Sequence, residues 1–340
     1  LKRAFYFMGE RFAIGVDFGG TKISAGVVDL ETGKLLAAAK KKTRQVHEEA
    51  DVVKRLIGVI DEALHDANAD RKKIVGIGIG VAGMVDRQKG IVLDAVNIGS
   101  TDLPLTEPLS AHYKWPTYIG NDVEVATLGE LHFGAGRNCS NFICIFVGTG
   151  IGSGIVLNSK INYGASGTAG EVGHMILVPE GKLCGCGGYG CLEAYASRTA
   201  LAKNILVDLN RGMESSIRDK IDMTKGILRA KAIANAITAG DQLVISNVTE
   251  TARYFGLGLA SIINFYNPER IIVGGGLVEA VDLYLQVATR EAKRRALKIP
   301  GSKVQIVKAE LGDYAGVIGA AMLARGQGKP LSTADTAQVK

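Results

Sequence analysis

Residues 12–28 read Phe12-Ala13-Ile14-Gly15-Val16-Asp17-Phe18-Gly19-Gly20-Thr21-Lys22-Ile23-Ser24-Ala25-Gly26-Val27-Val28. Two apolar runs, each the length of a strand, meet at a Gly pair. The runs predict strands over Phe12–Asp17 and Ile23–Val28, with the chain reversing at Gly19-Gly20. Leu35–Lys41 predicts a third strand after a turn at Thr32-Gly33, which makes an antiparallel meander. A Gly loop at a strand end turns backbone N–H groups toward an anion, and Thr21 adds a hydroxyl donor. Asp17 at the strand end suits a water-mediated Mg²⁺ contact. The same residues also suit a plain hairpin turn with a solvated Asp.

Two more Gly loops follow. Gly148-Thr149-Gly150-Ile151-Gly152-Ser153-Gly154 joins the apolar runs Phe142–Val147 and Ser153–Leu157. Val273-Gly274-Gly275-Gly276 ends a strand and opens a helix, where free N–H groups favour phosphate or a nucleotide edge. Three such loops at strand ends point together to nucleotide binding. Gly78-Ile79-Gly80-Val81-Ala82-Gly83 has the dinucleotide spacing G-x-G-x-x-G. That fingerprint must open a helix, and the sequel Met84–Gly90 reads as a turn. None of the loops carries the G-K-[ST] ending of a P-loop.

Around these loops the spacing predicts alternating elements. Helices are expected over Glu48–Asn68, Val123–Phe133, Leu192–Leu209, Lys231–Ala239, Gln242–Phe265, Val278–Leu297 and Gly316–Ala324. Further strands are expected over Ile74–Val81, Arg270–Val273 and Val304–Val307, and one ending at Tyr118-Ile119-Gly120. Two meander-then-helix modules in succession predict two α/β domains of similar build. The 340 residues, 47% hydrophobic and 22% charged, suit a globular chain of about two domains. Glycine is in excess, 44 residues, and the surplus is clustered in the loops.

The net charge of +6 is modest. The basic runs Lys40–Lys42, Arg71–Lys73 and Lys293–Arg295 lack interleaved aromatics, so solvated faces are expected rather than nucleic-acid binding. No run of about 18 apolar residues predicts a membrane span. Leu1–Glu10 reads as a short extension, too charged for a signal peptide. The chain is therefore expected to be cytoplasmic.

The five cysteines are unevenly placed: Cys184, Cys186 and Cys191 lie together, and His174 precedes them by ten residues. One imidazole and three thiolates on a Gly-rich loop suit a closed, structural zinc site. A metal on one ring nitrogen of His174 would fix the other N–H as a donor, with Glu171 nearby. Asp122, after Gly120-Asn121, either accepts a proton from a substrate hydroxyl or caps the following helix. Position alone favours the cap.

The stretch Gly170-Glu171-Val172-Gly173-His174, continued by Cys184-Gly185-Cys186-Gly187-Gly188-Tyr189-Gly190-Cys191-Leu192-Glu193, closely resembles the signature of the ROK family of sugar kinases. The likeness runs from about residue 12 to 326. It implies an actin-like (ribonuclease-H-like) ATPase fold of two α/β domains with a cleft between them. These would be 11–120 with 312–328, and 121–311 with the zinc loop. By the same resemblance the donor phosphates and adenosine fall to Asp17, Gly20, Thr21, Lys22, Gly148, Thr149, Gly150, Gly152, Gly274 and Gly275. The sugar falls to Gly83, Asn121, Asp122, Glu171, His174 and Glu193, the base to Asp122, and zinc to His174, Cys184, Cys186 and Cys191.

The implied reaction moves the γ-phosphoryl group of MgATP to a hexose 6-OH, with Asp122 taking the hydroxyl proton. Val81-Ala82-Gly83 stands where glucokinases of the family often have Pro-Gly, and the loop Asn97–Leu103 lacks their Trp. Glucose is the first expectation, with N-acetylglucosamine and N-acetylmannosamine as alternatives. A sugar-responsive repressor is the reading from another class. The 16 residues ahead of Asp17 are few for its helix-turn-helix. The resemblance also implies a homodimer or homotetramer.

Overall fold

The structure, a computed structural model, describes residues 11–43, 49–95, 100–222 and 227–325. The extension read at Leu1–Glu10 and the loop residues Asn97–Gly99 lie outside the described residues. The chain divides into two compact units, Leu1–Gly134 with Asp313–Lys340, and Ala135–Gly312.

In the first unit the meander forms as β1 (Phe12–Phe18), β2 (Lys22–Asp29) and β3 (Leu35–Lys42). Helix α1 (Glu49–Ala67) leads to β4 (Ile74–Val81). A small antiparallel sheet follows, β5 (Met84–Asp86), β6 (Ile91–Ala95) and β7 (Ser100–Pro104). Then come α2 (Thr106–Tyr113), β8 (Thr117–Asn121) and α3 (Asp122–Phe133). The main sheet has the order β3-β2-β1-β4-β8, antiparallel through the meander and parallel from β1 to β8.

Strand alternation sorts β1 between two layers. Ile14, Val16 and Phe18 enter the core formed with Val52, Leu56, Val59 and Ile60 of α1. Those α1 positions recur at helical spacing, which is why one face of α1 is buried. Gly15 and Asp17 face the C-terminal helix Ala315–Leu323. The packing there is close. A Cβ on Gly15 would stand 1.8 Å from the Val317 carbonyl oxygen, and one on Gly78 1.7 Å from that of Ala320.

The second unit repeats the plan. Strands β9 (Phe142–Val147), β10 (Ile151–Leu157) and β11 (Lys160–Ile161) form its meander. The cysteine loop and the helices α4 (Glu193–Ala196), α5 (Arg198–Asn210), α6 (Ala230–Thr238) and α7 (Gln242–Tyr266) follow. The unit closes with β12 (Arg270–Gly274), α8 (Gly276–Ala280), α9 (Asp282–Arg295), α10 (Lys298–Lys303) and β13 (Gln305–Lys308). Its sheet order, β11-β10-β9-β12-β13, has the same antiparallel-then-parallel pattern. The core lies between this sheet and the helices, with Phe255, Leu259, Ile263, Tyr284 and Ala288 fully buried.

Three expectations change. The division falls at Gly134/Ala135 instead of 120/121, because α3 packs into the first unit. A Cβ on Gly319 of the C-terminal helix would stand 1.6 Å from the Val125 carbonyl oxygen of α3. The helix expected over Leu192–Leu209 is two, broken at Ser197, whose extended backbone and side chain cap α5. The helix expected over Val278–Leu297 likewise breaks at Val281, with φ −129° and ψ 87°. Among the described residues no helix is long and apolar enough to cross a membrane.

Candidate active site

Strand pairing alone aligns one cluster. β4 lies between β1 and β8, all parallel, with Asp17 opposite Gly80, Gly80 opposite Gly120 and Val81 opposite Asn121. Asp17, Gly83, Asn121 and Asp122 therefore sit at one edge, the carboxyl ends of three parallel strands, where open α/β sheets bind ligands. The glycines of Gly78-x-Gly80-x-x-Gly83 have packing reasons. A Cβ on Gly80 would meet Val125 at 2.4 Å, and one on Gly83 the Asp94 carbonyl oxygen at 2.4 Å.

The cap position goes to Asn121, not to Asp122. Asn121 Oδ1 accepts the N–H of Val123 at 2.9 Å and of Glu124 at 3.3 Å, and Glu124 Oε2 accepts the Asn121 N–H at 3.2 Å. This capping box satisfies otherwise orphaned donors in both directions. Arg87 pairs with the same Glu124 carboxylate, and Asn121 Nδ2 donates to the Gly83 carbonyl oxygen at 3.2 Å. Asp122 is thus the first residue inside α3, relieved of the capping role.

Its environment is unusual for a carboxyl group. Loss of solvent and then the nearby Asp17 carboxylate push Asp122 up to about 7. The N–H of Val123, 2.9 Å from Asp122 Oδ1, opposes them. Burial also raises Asp17, with Lys22 partly offsetting it. Two carboxyl groups with a displaced titration at a strand-end edge are candidates for acid–base work.

The first Gly loop closes through Gly19 N–H to the Lys22 carbonyl at 3.0 Å, and Thr43 Oγ1 donates to the Gly19 carbonyl at 2.7 Å. Lys22 Nζ lies 3.9 Å from Asp313. In the second unit, the hairpin at Gly148–Gly150 ends β9, and Gly274–Gly276 ends β12 beside it. A Cβ on Gly275, whose φ is +91°, would meet the Val147 carbonyl oxygen at 2.5 Å. Gly152 lies in β10 opposite Phe146.

The hairpin is gripped from one segment. Glu193 Oε2 accepts the Ile151 N–H at 2.8 Å, and a Cβ on Gly150 would stand 2.4 Å from that same oxygen. Arg198 donates its N–H to the Gly148 carbonyl at 3.0 Å and a guanidinium N–H to Thr149 Oγ1 at 3.0 Å. Thr199 Oγ1 donates to the Thr149 carbonyl at 2.7 Å. Arg198 and Thr199 were not singled out from the sequence. Ser197 ahead of them carries a cap signal for a new helix start there.

The cysteine loop gathers His174, Cys184, Cys186 and Cys191, their ligand atoms all within 4.8 Å of one another. Cys186 Sγ lies 3.8 Å from Cys191 Sγ, and Cys184 Sγ 3.7 Å from His174 Nδ1. A tetrahedron with metal–sulfur bonds of ~2.3 Å has edges of ~3.8 Å. The donor set therefore fits a tetrahedral cation. Burial pushes the Cys184 thiol up to about 12, and a bound cation is what would deprotonate it. With Nδ1 turned to the cysteines, His174 Nε2 lies 3.9 Å from Glu171 Oε2. The sequence-expected residues thus form one cluster in each unit. Asp17, Gly20, Thr21, Lys22, Gly83, Asn121 and Asp122 lie in the first, and the others in the second.

Comparison with known proteins finds matches along almost the whole chain. The ROK family pattern matches residues 13–327. A glucokinase of Halalkalibacterium halodurans is 35% identical over 322 residues, 94% of this chain and 97% of that protein. A glucokinase of Streptomyces coelicolor is 39% identical over 315 residues, 92% and 97% of the two chains. The crystal structure of a ROK family glucokinase from Streptomyces griseus, in complex with glucose and AMPPNP, superposes with a TM-score of 0.81 at 36% identity. It covers 92% of this chain and 99% of its own.

Proposed function

The chain belongs to the ROK family, and from that membership we propose that it is an ATP-dependent glucokinase, moving the γ-phosphoryl group of MgATP to the 6-OH of glucose. The observation that carries the reaction is Asp122, set at the edge of three parallel strands and released from capping by Asn121. With its titration near 7, Asp122 is ionised in part at neutral pH and matched to a hydroxyl proton developing acidity in the transition state. Asn121 and the Gly83 backbone hold the sugar hydroxyl toward it.

In the second unit, His174 offers a donor of fixed direction and Glu171 an acceptor beside it, the pairing a polyol calls for. Glu193 completes the sugar contacts. The Thr149 and Gly150 N–H groups of the Gly148–Gly152 hairpin and those of the Gly20–Lys22 turn hold the donor phosphates, and Gly274-Gly275 borders the adenosine. Asp17 holds Mg²⁺, which neutralises phosphate charge when bound. Zn²⁺ on His174, Cys184, Cys186 and Cys191 is structural, since four protein ligands leave no open position. The active form is a homodimer or homotetramer in the cytoplasm, serving entry of glucose into glycolysis.

A coupled ADP-release assay tests this, with MgATP against glucose, mannose, fructose, N-acetylglucosamine and N-acetylmannosamine. The expected result is the highest kcat/KM on glucose, lost in Asp122→Asn. Turnover on an N-acetylated hexosamine above glucose would reassign the substrate, and no turnover on any sugar would overturn the kinase reading.

A further inference from the structure

We propose that Arg198 is a positioning residue for phosphoryl transfer, fixing the Thr149 hydroxyl as a hydrogen-bond donor to the phosphate chain. The inference rests on the kinase reading of the Gly148–Gly152 hairpin.

The geometry begins with Ser197, whose Oγ accepts the Ala200 N–H at 3.1 Å and so fixes the start of α5. Arg198, the first residue of that helix, is then held by its own N–H on the Gly148 carbonyl. Thr199, the second, holds the Thr149 carbonyl. The Arg198 side chain thus reaches Thr149 Oγ1 from a backbone already tied to the same hairpin on two sides.

A guanidinium can only donate. Its N–H at 3.0 Å occupies a lone pair of Thr149 Oγ1, so the threonine hydroxyl must send its own proton elsewhere. Thr149 is exposed, and no described acceptor takes that proton. The hydroxyl is a committed donor, polarised by a full positive charge, at the tip of a Gly loop. An anionic oxygen is the acceptor that best matches it. Arg198 pairs with no carboxylate among the described residues, so no ion pair draws its guanidinium away from Thr149 Oγ1. An arginine serving only to brace the surface would lose nothing in function if its hydroxyl partner were gone.

The experiment compares wild type with Arg198→Ala, Arg198→Lys, Thr149→Ala and the double variant Arg198→Ala/Thr149→Ala. Measured are kcat, KM for MgATP and KM for glucose, with the Kd of a non-hydrolysable MgATP analogue by calorimetry. Arg198→Ala is expected to lower kcat/KM for MgATP about tenfold, the worth of one hydrogen bond to a charged group. The analogue should weaken in parallel, with KM for glucose within about twofold of wild type. Thr149→Ala should do the same, and the double variant should be little worse than Thr149→Ala. Arg198→Lys should fall between, having lost the planar fork. Additive losses in the double variant, or unchanged nucleotide parameters in both Arg198 variants, would overturn the proposal. Should Arg198→Ala not fold, Arg198→Lys carries the comparison. Absence of glucose turnover in wild type would count against the kinase reading, while the analogue Kd would still report on Arg198.

Discussion

The Glu193 carboxylate accepts the Ile151 backbone N–H at 2.8 Å, two residues beyond Cys191 and at the foot of the Gly148–Gly150 hairpin. One side chain thus ties the proposed zinc loop to a proposed phosphate loop. Glu193→Gln keeps an acceptor for that N–H but removes the charge. Glu193→Ala leaves the N–H without its partner, at a cost of about 1–3 kcal/mol if water cannot replace it. Steady-state kinetics should show KM for glucose raised in both variants, but KM for MgATP raised only in Glu193→Ala. Equal MgATP parameters in the two would break the proposed link.

The proposed base, Asp122, predicts the pH dependence. It would act when ionised, so kcat should fall as pH drops through about 7 in wild type. In Asp122→Asn the activity should be about 10²- to 10⁴-fold lower and that acidic limb absent. Stability should move the other way. The carboxyl is raised from its ordinary 3.8 to about 7, so between those values the folded chain binds more protons than the unfolded one. Stability from this group is lost as pH rises through that window. Melting curves at pH 5 and pH 8 should show Asp122→Asn gaining on wild type at the higher pH.

Metal removal tests the cysteine loop. Two of the donor–donor distances, 3.7 and 3.8 Å, are tetrahedral edge lengths, and binding should convert the three thiols to thiolates with proton release. Elemental analysis should find one zinc per chain. Dialysis against a strong chelator should lower the melting temperature and abolish turnover, and zinc but not magnesium should restore both. Full activity in a metal-free chain would remove zinc from the account.

Two glycines separate packing from loop chemistry. A Cβ on Gly78 would stand 1.7 Å from the Ala320 carbonyl oxygen, backbone that cannot step aside, whereas one on Gly148 meets nothing within 4 Å. Gly78→Ala should destabilise by at least the ~1–3 kcal/mol typical of overpacking. Gly148→Ala should melt near wild type. Thermal unfolding of both variants checks the pair.

The apolar runs on either side of Asp17 and of Gly148 are enough to set two meanders, because strand pairing of neighbouring segments needs only local contacts and a Gly turn. The cysteine spacing likewise places three thiols on one short loop before any folding is considered. What the sequence could not decide is which residue caps α3. Asn121 and Asp122 are both good caps, and the choice is made by the Gly83 carbonyl and Glu124, the latter held by Arg87, 37 residues away. Nor could it show that the glycines of Gly78-x-Gly80-x-x-Gly83 serve packing, since the carbonyl that excludes a side chain at Gly78 comes from a helix more than 230 residues later. The grip of Glu193, Arg198 and Thr199 on the hairpin is hidden for the same reason. Local propensity specifies elements and turns, whereas hydrogen bonds between distant segments exist only once the sheets and helices have packed and excluded the water that would otherwise compete for them.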